Sequence, residues 1–219
     1  VNVNVQYLPT IPFFLCRKSK VKLKTFHPVA PVHGVLIFNT IVYNRECKSL
    51  NKIYHSDMTK KIVLAGGCFW GVEDLIRTQP GVVNTEVGYT GGSVDNPTYE
   101  HHTGHAEAVE IEYDPEKTSY KKLLDFFFQV HNPTTLNQQG NDRGTSYRSA
   151  IFYGNEDERK EGENFIKIVN DSKRWDNPVV TTLEPLTKFY KAEEYHQDYL
   201  QKNPGGYTCH AYYFDSYLK

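Results

Sequence analysis

The chain is short of sulfur. Its 219 residues include four cysteines and a single methionine. Cys16, Cys47, Cys68 and Cys209 are dispersed and form no CxxC pair. That excludes a disulfide scaffold or a four-thiolate zinc site, and it fits a reducing compartment with one or two functional thiols. Long apolar runs are missing too. The longest, Val35 to Ile41, is broken by Asn39 and Thr40, short of the roughly 18 residues a membrane-spanning helix needs. Nor does either sign of charge dominate. With 25 Lys+Arg against 26 Asp+Glu, the net charge is −1, so no global field draws the chain to nucleic acid. The expectation is a cytoplasmic protein, monomeric, with neither a membrane nor a nucleic acid as partner.

Aromatic residues are plentiful, at 14% of the chain with 16 tyrosines. Tyrosine in this quantity can pack its ring and leave its hydroxyl free for a site, although ordinary core packing explains most of it. At 39% hydrophobic and 23% charged, the chain has a globular composition. It is long enough to bury one good core and requires no second domain.

The character of the sequence changes at Met58. Residues 1–57 carry eight Lys+Arg and two acids, leaving 17 basic and 24 acidic residues for 58–219. The first segment shows no sustained period of 3.6 or 2, whereas regular patterning begins at Lys60. The only methionine, Met58, opens that regular part, so residues 1–57 are expected to be a disordered or non-native extension. A targeting peptide is the rival reading, but a clear amphipathic face and a small-residue cleavage site are lacking.

Within 58–219 the pattern predicts a strand at Lys61–Leu64, a helix from Cys68 to Arg77, and strands at Val82–Tyr89 and Ala106–Tyr113. A helix capped by Thr118 or Ser119 follows, carrying Leu123, Leu124, Phe127 and Phe128. A polar loop from Asn132 to Gly144 is long enough to suggest function. Beyond it come a strand at Ala150–Tyr153, a helix at Glu156–Val169, a strand at Val179–Leu183 and a helix at Ala192–Leu200. Asn203 to Lys219 reads as an irregular tail. The expected fold is α+β, a two-layer ferredoxin-like plait (β-α-β-β-α-β) with added helices.

The chemistry concentrates in a few segments. In Gly66-Gly67-Cys68-Phe69-Trp70-Gly71, a cysteine sits between a glycine turn and a helix, where unpaired N–H groups and the helix dipole stabilise a thiolate. A buried structural cysteine is the alternative. Phe69 and Trp70 could cage a small apolar group, or simply pack in the core. Glu107, by strand parity, shares the face of Val109 and Ile111. A carboxyl there should stay protonated and able to donate, unless it is paired structurally. His101, His102 and His105 lie on a turn without a clear fourth ligand, so no metal is expected. Asp142 lies in the loop before Tyr147, where a capped turn would also account for it. Cys209 follows Gly205-Gly206 in the tail, from which it could reach a second sulfur or remain an incidental thiol.

Five blocks in order, GGCFWGVE, GYTGG, GHAEA, QGNDRGTSYRS and AEEYHQDYLQKNPGGYTC, make the chain resemble the methionine sulfoxide reductase A family from about Lys61 to Cys209. The resemblance implies reduction of the S epimer of methionine sulfoxide, free or in oxidised proteins. Cys68 is the implied nucleophile, Glu107 the proton donor to the sulfoxide oxygen, and Tyr89 and Tyr147 its hydrogen-bond donors. Phe69 and Trp70 would hold the methyl group, and Asp142 would have an orienting role. The tail has one cysteine, so the implied cycle is a Cys68 sulfenic acid, then a Cys68–Cys209 disulfide, reset by thioredoxin with no bound cofactor. Two other readings fit parts of the pattern. A cysteine hydrolase would use His196 or His105 as base and have no use for Cys209. A non-catalytic module would bind methionine-containing peptides through Phe69 and Trp70.

Overall fold

The computed structural model describes residues 59–218. The expectations for residues 1–57, and those for Cys16 and Cys47, lie outside these. Strand β1 (Lys60–Gly66) leads into helix α1 (Phe69–Ile76), followed by β2 (Val82–Thr90), β3 (Ala106–Tyr113) and α2 (Tyr120–Val130). The polar loop folds into a small hairpin of β4 (Gln138–Gln139) and β5 (Asp142–Arg143), then a 3-10 turn at Thr145–Tyr147. Next come β6 (Ser149–Tyr153), α3 (Glu156–Asp171), β7 (Thr182–Pro185), β8 (Phe189–Lys191) and α4 (Tyr199–Lys202).

Six strands form one mixed sheet in the order β7-β6-β1-β3-β2-β8. All neighbours are antiparallel except β6 and β7, which run parallel. Alternation along the central strands sorts the side chains into two layers. Ile62, Leu64, Val109 and Ile111 face the helices and join Phe69, Val72, Leu123, Leu124, Phe127 and Phe128 in the main core. Val63, Ala65, Ala106, Ala108 and Ala150 face the other way, under Leu186 and Phe189. The four large α2 side chains are 0–1% exposed, and burying each contributes about 1.5–3 kcal/mol.

The caps follow local chemistry. Of the two expected cap residues at α2, Ser119 serves, its hydroxyl accepting from the Lys122 N–H. Asn155 caps α3 by accepting from the Glu158 N–H, and Glu158 reaches back to Gly154 N–H and to the Asn155 amide. Three acids in the first turn of α3 suit the positive end of the helix.

Two expectations are corrected. The helix at Ala192–Leu200 does not form; only Tyr199–Lys202 is helical, entered through a left-handed Asp198 (φ 55). The segment instead hugs the β2 edge. The Gln197 side chain accepts from Val87 N–H and donates to the Val87 and Ala192 carbonyls, all at 2.9–3.0 Å. Those side-chain bonds replace the helical ladder. The strand expected at Val179–Leu183 begins at Thr182, because Val179 and Val180 N–H groups bond Asn170 and Pro133 instead. Strand β8 had no counterpart in the pattern reading.

Candidate active site

Sheet register does the first part of the assembly. Tyr89 and Glu107 are direct cross-strand partners on β2 and β3, so both side chains point to the same face. Strand β1, next to β3, delivers Gly66-Gly67 and then Cys68. Gly67 has φ +104, a left-handed conformation that a side chain would strain. This bend places Cys68 as N-cap of α1. The Phe69 N–H donates to Glu107 Oε2 at 3.1 Å, clamping the helix start onto β3 and leaving Oε1 to carry a proton.

Glu107 is 2% exposed, and burial pushes its carboxyl up to about 8, with the Asp142 charge adding and the Phe69 N–H opposing. It is therefore predominantly protonated at neutral pH. The expectation for Cys68 needs correction. The Trp70 N–H does face the sulfur and favours a thiolate, as helix-end reasoning requires. Burial outweighs it and pushes the thiol up, and the Glu107 charge adds to this once that carboxyl ionises. Desolvation of the thiol of a residue only 6% exposed costs more than one N–H returns. At rest Cys68 is a thiol.

The aromatic wall is held by Tyr89 and His196 and by three neighbours that the sequence did not single out, Tyr99, Glu193 and Tyr199. Phe69 lies in the core, 5.9 Å from the Tyr89 ring and 5.1 Å from the His196 ring. Trp70 stacks on Tyr199 at 3.8 Å, and its Nε1–H donates to His196 Nδ1 at 3.1 Å. Tyr99 adds a ring 4.7 Å from His196. Glu193 accepts the Tyr89 hydroxyl and the Tyr99 N–H, each at 2.9 Å. The single Tyr89 proton is thus committed to Glu193 in this state. Tyr147, on the 3-10 turn, is half-buried, and burial first, then the Glu107 charge, raises its phenol.

Cys209 is not on a loose tail. Gln139 Nε2 donates to its carbonyl at 3.0 Å, and its sulfur faces both the Cys68 backbone N–H and the Asp142 carboxylate. Asp142 also accepts the Tyr207 hydroxyl at 3.1 Å. Beyond Cys209, Asp125 accepts from Ser216 Oγ and Tyr217 N–H, both at 2.7 Å. Arg174 binds the Asp215 and Ser216 carbonyls. The tail is irregular, as expected, but strapped down. The two described cysteines, Cys68 and Cys209, are both free thiols.

The histidines weighed as hydrolytic bases are otherwise engaged. His105 Nδ1 accepts from Gly92 N–H at 3.2 Å, and its Nε2 meets the Val94 carbonyl at 2.8 Å. His196 is neutral, its imidazole lowered by burial, and its one lone pair receives Trp70. Neither ring has a free lone pair for Cys68. His102 stacks over Tyr89 at 4.9 Å and bonds the Thr98 carbonyl.

The site therefore brings together Cys68, Phe69, Trp70, Tyr89, Glu107, Asp142, Tyr147 and Cys209. Glu193, Tyr99 and Tyr199 were missed as individuals, although Glu193 and Tyr199 lie within the block ending at Cys209. A polar cluster so close to a cysteine was the available signal.

Comparison with known proteins agrees with this geometry. A family model described as peptide methionine sulfoxide reductase matches residues 60–216. The chain is 60% identical over 152 residues to a peptide methionine sulfoxide reductase MsrA of Nocardia farcinica, covering 69% of this chain and 89% of that one. It is 60% identical over 153 residues to an MsrA of Rhodopirellula baltica, covering 70% and 91%. Among solved structures, reduced Mxr1 of Saccharomyces cerevisiae matches with a TM-score of 0.66 and 39% identity, over 70% of this chain and 90% of that one. Methionine sulfoxide reductase A of Corynebacterium diphtheriae matches with a TM-score of 0.66 and 36% identity, over 69% and 78%. By the family model and by its relatives alike, the chain belongs to the peptide methionine sulfoxide reductase family.

Proposed function

We propose that this protein reduces the S epimer of methionine sulfoxide, free and in oxidised proteins, with Cys68 as nucleophile and Cys209 as resolving thiol. The observation that carries this is the neutral, buried Glu107 at the foot of the helix that Cys68 caps. A sulfoxide has a positive-leaning sulfur and a negative-leaning oxygen. Attack at sulfur stalls unless the oxygen is protonated as charge develops on it, and a carboxylic acid kept neutral by burial supplies that proton. Because the resting Cys68 is a thiol, it must lose its proton as it attacks. A neutral Glu107 can take that proton on one oxygen while giving up its own from the other. Net, one oxygen moves to the Cys68 sulfur, the substrate sulfur gains two electrons, and methionine leaves. Tyr89 and Tyr147 stabilise the oxygen, Tyr89 by exchanging Glu193 for substrate, while Phe69 and Trp70 enclose the methyl group. Asp142 orients the neighbouring polar groups.

The sulfenic acid on Cys68 then condenses with the Cys209 thiol to form a disulfide and water, and exchange with thioredoxin restores both thiols. No bound cofactor or metal enters this cycle. The need for an external dithiol suits a cytoplasmic enzyme, which we read as a monomer. We read residues 58–219 as one catalytic domain and residues 1–57 as an extension. The central strands, in the order β6-β1-β3-β2 and all antiparallel with two crossover helices, support reading the core as a ferredoxin-like plait. The test is sulfoxide reduction with each epimer, with and without thioredoxin, in the native chain and in Cys209→Ser. The variant should give about one turnover of the S epimer and no recycling. Equal use of both epimers, or full thioredoxin-linked turnover by the variant, overturns the assignment.

A further inference from the structure

The residue after the resolving cysteine has no part in the cycle described so far. His210 is 8% exposed and packs against the turn that carries Cys68. Its Nε2 lies 2.8 Å from the Gly66 carbonyl oxygen, which can only accept, so Nε2 carries the ring proton. Burial holds the imidazole down to about 4, against the Gly66 bond and the Asp142 charge, so the ring is neutral and Nδ1 has a bare lone pair. That lone pair faces Cys209 Sγ at 3.5 Å, where only the S–H can be the donor, and the Asp142 carboxylate is a second acceptor for the same proton.

The fold makes room for this histidine. A Cβ on Gly71 would come within 2.3 Å of His210 Nδ1 and 2.6 Å of Thr208 Oγ1. Thr208 Oγ1 in turn accepts the His210 N–H at 3.2 Å. The last glycine of the GGCFWG block thus seats the ring, a role its position beside the nucleophile did not suggest.

We propose that His210 is the base for the resolving step, taking the Cys209 proton through Nδ1 as Cys209 attacks the Cys68 sulfenic acid. The proposal rests on the Cys68–Cys209 cycle above. The Cys209–Cys68 S–S bond forms as the Cys68 S–O bond breaks. The departing hydroxide takes the Glu107 proton and leaves as water. The proton on His210 then returns to the Glu107 carboxylate through solvent, so atoms and charge balance. Burial and the Asp142 carboxylate keep Cys209 protonated, its thiol pushed up to about 12, so resolution does not start from a standing thiolate. A weak base suffices, because the proton becomes strongly acidic once its sulfur is bonded to a second sulfur. Delaying the transfer until then keeps the thiol quiet between cycles.

His210→Gln tests this. Glutamine can keep an N–H for Gly66 but has no basic nitrogen for Cys209. In single-turnover mixing with methionine sulfoxide, methionine formation should match the native chain within about twofold, whereas disulfide formation slows by about 100-fold or more. Cys68 sulfenic acid, trapped by dimedone and read by mass, should accumulate. Asp142→Asn is the comparison, since Asp142 also faces Cys209 but belongs to the substrate site. It should slow both phases. A folded His210→Gln that forms the disulfide at the native rate overturns the proposal. Loss of methionine formation in the native chain would overturn the parent cycle instead. The native chain gives an independent reading through the pH dependence of disulfide formation. Asp142, Tyr207, Glu107, His210 and the Cys68 sulfur face this step; His210, near 4, and Tyr207, near 12, hold their charge from pH 6 to pH 8, while Glu107, near 8, begins to lose its proton. The rate should therefore be flat or falling from about pH 6 to pH 8, whereas attack by a preformed thiolate would rise about tenfold per unit and refute the role.

Discussion

Replacing Glu107 by Gln should make the protein more stable and less active, and the gain in stability should depend on pH in a defined way. The carboxyl rises from 4.5 to about 8 on folding, mainly through burial. A carboxylate with a raised folded pKa favours the native state most below the unfolded value. That contribution is lost as pH climbs towards the folded value, because the unfolded chain ionises first. At about 1.4 kcal/mol per pH unit, the cost is below about 1 kcal/mol at pH 5, about 3 kcal/mol at pH 7, about 4 kcal/mol at pH 8 and about 5 kcal/mol at pH 9 and above. Glutamine does not ionise, and its carbonyl can still accept the Phe69 N–H. Any fixed cost of exchanging hydroxyl for amide is the same at every pH, so the slope is the test. Urea unfolding of both proteins with thiols kept reduced, at pH 5, 6, 7, 8 and 9, gives the difference directly. It should widen steadily and level off near pH 8, while sulfoxide turnover in the variant falls by about 100-fold or more. A difference independent of pH would mean that Glu107 is ionised in the native state, and the acid assigned to the sulfoxide oxygen would be lost.

Gly71→Ala should lose about 1–3 kcal/mol, read by urea unfolding, and slow disulfide formation as well, because the new methyl displaces His210 and Thr208. Asp125→Ala should cost about 1–3 kcal/mol and expose the end of the chain to limited proteolysis, since Ser216 and Tyr217 lose their acceptor. Its first turnover should persist while recycling slows. In Trp70→Phe, the His196 Nδ1 bond is removed from a buried ring. A loss of about 1–3 kcal/mol and a raised KM for sulfoxide are expected, and an unchanged KM would argue against Trp70 as a pocket wall.

Much of the scaffold was legible because it is local. The short apolar run of β1, alternation in β2 and β3 and the helical spacing of Leu123, Leu124, Phe127 and Phe128 are all signals carried by neighbouring residues. The parity argument for Glu107 succeeded because strand geometry fixes direction within two residues. The segment Ala192–Leu200 misled because its composition suits a helix, while the bonds that decide its shape run from Gln197 to Val87, 110 residues away. Strand β8 is three residues long and exists through its partner β2.

The same division applies to the chemistry. The five ordered blocks that hold Cys68, Glu107, Tyr147 and Cys209 were enough to imply the reaction through a family resemblance, because each block is contiguous in the chain. Apart from Glu107, whose strand parity pointed to a neutral acid, the protonation states came from the tertiary structure. A cysteine at a helix start looks ionised while only its own backbone is considered, yet desolvation by the surrounding core reverses that. The same is true of Tyr89, whose proton goes to Glu193, and of Cys209, which His210 and Asp142 flank. Charge in a buried site depends on what lies within a few ångströms in every direction, and sequence supplies only the neighbours along the chain.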